Sequence, residues 1–167
     1  MKAASVFAVT ALALLACAPA KGAENSGWAI RAVATTRALP QVTLAAERGD
    51  ARAQAQLGFM YATGRGVPQN RVLAAYWYRR GAEQGNAAAQ HLLGLLYDKG
   101  QGTPTDHVLA HMWLSLAAAA TKGATHEDNV RLRDAVAAKM SFGQLYDAQY
   151  LAQTWAPKPE VVVVRTR

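Results

Sequence analysis

Apolar residues recur at helical spacing through the middle of the chain. Ala53, Leu57 and Tyr61 stand four apart with Gly58 beside them, and Ala89, Leu93 and Tyr97 repeat the pattern with Gly94. Each set lies along one face of an amphipathic helix. A glycine in a helix interior costs roughly 1 kcal/mol against alanine, so Gly58 and Gly94 mark places where a neighbouring helix comes too close for a side chain. The stretch Gly64-Arg65-Gly66-Val67-Pro68 ends the first helix. Glycine adopts left-handed backbone there, and proline cannot continue helical hydrogen bonding. Asn70 and Asp106 follow Pro68 and Pro104 by two residues, where an N-cap acceptor starts a second helix carrying Ala74, Trp77 and Ala82.

The pattern is a true duplication. Shifting residues 49–84 by 36 positions onto 85–120 gives 15 identical pairs, among them Gly64/Gly100, Gly66/Gly102, Pro68/Pro104, Tyr61/Tyr97 and Trp77/Trp113. A helix–loop–helix unit cannot bury its apolar face alone, so stacked units must share a core. Trp77 and Trp113, at equivalent positions, read as core pillars, each burying on the order of 200 Å². Downstream, Thr125-His126-Glu127-Asp128 and Ser141-Phe142-Gly143-Gln144 have the spacing of N-terminal capping signals, the second a capping box. They predict helices over about 125–139 and 141–154, halted by Pro157 and Pro159.

These residues resemble the Sel1-like repeat, a relative of the tetratricopeptide repeat. Gly49 to Trp77 follows the pattern Gly-Asp-Ala-x-Ala-Gln-x-x-Leu-Gly-x-x-Tyr-x-x-Gly-x-Gly-Val-Pro nearly throughout, and Gly85 to Trp113 follows it again with Thr103 for the valine. Residues 39–48 resemble the last helix of a preceding degenerate unit, and 125–154 a closing helix pair. The resemblance implies an all-α, α/α solenoid over residues 39–155, with its first helices lining a concave groove for proteins or peptides. It also implies an adaptor rather than an enzyme. A cysteine-rich subset of the family is linked to β-lactam chemistry, but this chain has one cysteine and cannot form that subset's disulfides.

The termini read differently from the middle. Met1-Lys2 and the uncharged, mostly apolar run from Ala3 to Ala16 form the n- and h-regions of a signal peptide, too short to span a bilayer. Two processing readings stand. Ala18-Pro19-Ala20 fits cleavage after Ala20, while Leu14-Leu15-Ala16-Cys17 resembles a lipobox that would lipidate Cys17. Both imply export, periplasmic or secreted, with membrane attachment only through Cys17. Residues 21–38 read as a loose lead-in and 156–167 as a flexible tail, whose Val161 to Val164 run could add as a strand to a partner.

Charge and chemistry narrow the function further. The net charge is +7, but the basic residues are dispersed and not interleaved with aromatics, so no nucleic-acid footprint emerges. His107 and His111 have metal-ligand spacing, yet Val108 stands where a zincin motif requires Glu and no third ligand is evident. No nucleophile elbow or phosphate loop occurs. The reading is therefore of no catalytic residue, no metal and no cofactor. For a partner, Arg52, Gln56, Phe59 and Thr63 share a helix face roughly opposite Ala53, Leu57 and Tyr61; their equivalents are Ala88, Leu92, Leu95 and Lys99. Such a face suits a peptide with an apolar anchor and an acidic flank, unless Phe59, Leu92 and Leu95 are themselves core. A small-ligand binder or hydrolase of the cell envelope is the competing reading.

Overall fold

Capping residues and left-handed glycines cut the chain into short helices. The computed structural model describes residues 39–160, and the helices among them are α1 (39–47), α2 (Ala51–Thr63), α3 (Arg71–Glu83), α4 (Ala87–Lys99), α5 (His107–Ala119), α6 (Gly123–Ala137) and α7 (Phe142–Thr154). Asp50 caps α2 by accepting from the Arg52 and Ala53 amides, and Asn86 caps α4 through Ala89. Asn70 and Asp106 cap α3 and α5 through Leu73 and Leu109. Gly64 and Gly100 end α2 and α4 at φ 73° and 63°, a conformation that L side chains rarely adopt. The loops close identically: the Asn70 amide donates to Tyr61 O at 2.9 Å and the Asp106 amide to Tyr97 O at 3.0 Å.

The helices pack as hairpins, α2 on α3 and α4 on α5, and the hairpins stack through α3 against α4. Gly58 and Gly94 make the hairpins possible. A Cβ at Gly58 would lie 2.6 Å from Tyr78 Cδ1, and one at Gly94 would lie 2.9 Å from Leu114 Cγ. Tyr78 and Leu114 therefore sink into the core directly over bare backbone. Gly102 leaves no room for a side chain, since a Cβ there would overlap the Arg71 carbonyl of the preceding unit. Trp77 and Trp113 are buried. Trp77 packs with Leu57 and Met60, whereas Trp113 belongs to the larger cluster and meets Trp155 edge-on at 6.1 Å between ring centroids.

One polar contact recurs at every junction. Gln54 Nε2 donates to Ala46 O at 3.0 Å, and Gln90 Nε2, 36 residues on, donates to Ala82 O at 3.2 Å. A further 36 residues on, His126 Nδ1 makes the same contact to Ala118 O at 2.9 Å. Helix starts keep that period too, at Ala51, Ala87 and Gly123. The closing pair thus begins as a third repeat. This corrects the expected start at 125: Thr125 lies inside the first turn, and the N-cap position is Lys122, which makes no side-chain cap bond. Register is set by the His126 clamp to α5 instead of by a cap. Ser141 does form the expected capping box with Gln144 at the start of α7.

The third unit then departs from the pattern. Val130 occupies the place of Gly58 and Gly94, so a second helix cannot press onto the backbone of α6. The connection is short, and α7 packs on α5 rather than on α6. Tyr150 consequently stays 57 % exposed, although its repeat equivalents Tyr78 and Leu114 are 1 % and 0 % exposed.

The tail expected to be loose from residue 156 is laid along the solenoid as far as residue 160. Its backbone is tied where the Lys158 amide donates to Glu83 O at 2.8 Å, and Pro157 lies against Gly85. Two prolines stiffen the segment and lower the entropy lost on docking it. The proposed signal segment with Cys17, the lead-in 21–38 and Val161 to Val164 lie outside the described residues.

Candidate partner-binding face

The first helix of each unit, α2, α4 and α6, turns one face inward and leaves the other outside. Arg52, Gln56 and Lys99 are exposed on that outer face. Phe59 is 38 % exposed and carries the Arg65 guanidinium over its ring at 5.3 Å. Leu92 and Leu95 are half-buried, and Leu92 packs against the main core cluster. The face is thus an exposed aromatic on α2 beside a partly inward-turned leucine pair on α4.

Between α4 and α6 this face opens into a cavity of about 480 Å³, lined by Ala87, Ala88, His91, Leu92, Thr121, Thr125, Asp128 and Asn129. Its walls are mainly apolar. At its base Asn129 is fully buried and holds two elements together, accepting from His91 Nδ1 at 2.6 Å and donating to Thr121 Oγ1 at 3.2 Å. Asp128 at the rim is paired with Arg131. Of the residues assigned to partner binding from the sequence, Leu92 alone lines this cavity; Arg52, Gln56, Phe59, Leu95 and Lys99 stand outside it. Sequence reading missed His91 and Asn129. The 36-residue frame carries the signal, because it already puts His91 on Ala55 and, extended past residue 120, puts Asn129 on Leu57 and Leu93.

The His107 and His111 pair does not converge. His107 Nδ1 lies 3.4 Å from Asp98 without a hydrogen bond to it, and that carboxylate accepts from Lys139 Nζ at 2.6 Å. His111 is 4 % exposed with Ser115 beside it. Burial holds its imidazole below the ordinary value of 6.5; the charge of Arg133 lowers it further and Asp134 opposes that. Among the described residues no group of three or more His, Cys, Asp or Glu side chains could hold a metal ion, and no helix is long and apolar enough to cross a membrane.

A stack of two-helix units sharing a core, with a recurring clamp at each junction, defines an α-solenoid repeat protein. The Sel1 repeat profile matches residues 51–86 and 87–121. A Sel1 repeat protein from Oxalobacter formigenes, solved by crystallography, is 44 % identical, with 58 % of this chain and 71 % of that one covered at a TM-score of 0.53. A protective antigen of uropathogenic Escherichia coli with an SLR fold is 32 % identical over 72 % of this chain, at a TM-score of 0.66. This chain spans 25 % of that longer protein. Curated proteins yield no significant match. The chain belongs to the Sel1 repeat family, whose members are generally protein–protein interaction modules on a scaffold that is typically not catalytic.

Proposed function

We propose that the chain is an exported interaction module that takes a protein or peptide partner on the outer face of α2, α4 and α6. The observation that carries this reading is the cavity between α4 and α6. Leu92, Ala87 and Ala88 offer an apolar wall, and Asn129 with His91 fixes the distance between its sides. An apolar anchor residue of the partner fills the cavity, and flanking acidic residues meet Arg52 and Lys99 on the same outer face. Export rests on the amino-terminal apolar run, with cleavage after Ala20 or lipidation at Cys17 distinguished by the mass of the mature N-terminus.

The test uses exposed positions, so that stability and binding separate. Ala88→Arg blocks the cavity mouth and Phe59→Asp reverses the character of the α2 face. Each should leave the melting temperature nearly unchanged while abolishing capture of the partner that wild type retains from the native host's envelope fraction. Loss of stability in Phe59→Asp without any partner would remove Phe59 from the binding face. A second reading, small-ligand binding, is favoured by the buried Asn129 and its half-buried partner His91 within the same cavity. Under that reading Phe59→Asp, outside the cavity, has no effect on binding, and Ala88→Arg alone does.

A further inference from the structure

The segment 155–160 is seated on a face that the proposed partner site does not use. It crosses the second helices, from α5 to α3, in extended form. Trp155 meets Trp113, Pro157 covers Gly85, and the Lys158 amide donates to the last carbonyl of α3, Glu83 O. Glu160 then enters a cluster of donors: its carboxylate accepts from the Arg80 guanidinium, from Gln54 Nε2 and from Gln84 Nε2. Beside it, a cavity of about 440 Å³ is bounded by Tyr76, Arg80, Glu83 and the segment itself.

Contacts that do not involve Glu160 hold those donors in place. Gln54 is fully buried and anchored to Ala46 O, and its Oε1 accepts from Gln84 Nε2 at 2.7 Å. The Arg80 guanidinium lies 4.7 Å from the Trp77 ring centroid and 5.6 Å from that of Tyr76. Three donors fixed in advance by aromatic rings and buried amides form a carboxylate site that persists when its occupant leaves. Part of this site is particular to the first unit. Position 84 is a glutamine there, but its equivalent in the second unit is Ala120, and Gln90 Oε1 is buried without a hydrogen-bond partner among the described residues.

We propose that this back face is a docking site for an extended peptide bearing an aromatic residue, a proline two positions on and a carboxylate three further, and that residues 155–160 fill it in cis. A partner segment of the same chemistry enters by displacing the tail. Tethering gives the tail an effective concentration of order millimolar, so the untethered peptide binds the intact chain weakly and gains access once the cis contacts are reduced.

The experiment uses the full chain and a fluorescent peptide of residues 152–160. Binding to a Trp155→Ala/Glu160→Gln variant should be at least tenfold tighter than to wild type, and adding Arg80→Ala to that variant should remove the gain. A mutation-free arm follows hydrogen exchange of the Lys158 amide in wild type, which excess peptide should accelerate. Equal peptide affinity for wild type and variant, affinity indifferent to Arg80→Ala, or Lys158 exchange unchanged at millimolar peptide would each overturn the proposal.

Discussion

The first two units and the third obey the same 36-residue period yet reach different structures. In the first two, glycine under Tyr78 and Leu114 lets the helices of each hairpin touch, and Ala55 and Leu93 belong to one dry cluster. In the third, Val130 denies the close approach, α7 leaves its hairpin partner for α5, and His91 and Asn129 stand where the previous junction has Ala55 and Leu93. The period is therefore held by the clamp onto Ala46, Ala82 and Ala118, which all three junctions keep. The hairpin is held by a single missing methyl group. The unit that lost the hairpin is also the one beside which the candidate cavity opens.

Transplanting residues between units tests this contrast. The largest effect is expected from Gly94→Val, which gives the second unit the third unit's residue. The added side chain would strike Leu114 and the Ala110 carbonyl, and overpacking of this kind costs about 2–3 kcal/mol. Urea unfolding would measure it, and a loss under about 1 kcal/mol would show that the glycine is not what sets the hairpin. The His91–Asn129 pair comes next. His91→Ala or Asn129→Leu alone should cost about 1–2 kcal/mol by stranding a polar partner, while the double variant, which restores the apolar pattern of the earlier junction, should be close to neutral. Additive losses in that cycle would argue against a direct interaction.

Smaller effects follow from the second unit's own departures. His111 is buried where the first unit has Ala75, and burial lowers its pKa in the folded chain. The unfolded chain thus binds the proton first as pH falls. Stability from keeping the imidazole neutral is full above about 6.5 and is lost below it. The melting temperature should drop between pH 7 and pH 5, and His111→Ala should flatten that drop; an unchanged slope would remove His111 as its source. The smallest effect is a gain. Ala120→Gln supplies Gln90 with the partner that Gln84 gives Gln54, and should stabilise by about 0.5–1 kcal/mol.

The repeating half of the fold was legible because each local signal agreed with the next. Glycines at 64 and 100, caps at Asn70 and Asp106, and the Leu57/Leu93 stripe all predict the same hairpins. The third unit was harder to read because its identities are lost while its geometry survives: histidine replaces glutamine at the clamp, and lysine replaces a capping residue at 122. Thr125-His126-Glu127-Asp128 looked like a cap because short polar side chains before a helix usually are one, and tertiary register overrode it. The candidate face was legible only in part. Phe59 and Leu92 follow from helical spacing, but Asn129 sits in a helix interior where nothing local distinguishes a buried polar link from a solvated one. The docking of 155–160 depends on contacts with Arg80, Gln84 and Gln54, separated from Glu160 by up to 106 residues, and no short-range pattern reports those.

That long separation has a mechanical consequence. A solenoid is nearly one-dimensional: each unit contacts only its neighbours, so its ends can fray independently and unfolding can run inward one unit at a time. The segment from Trp155 to Glu160 joins the last unit to the first and turns an open row into a closed loop of contacts. Opening either end then requires breaking a contact at the other. The chain should unfold in one cooperative step while the tail is seated, and in separable steps once it has been drawn away.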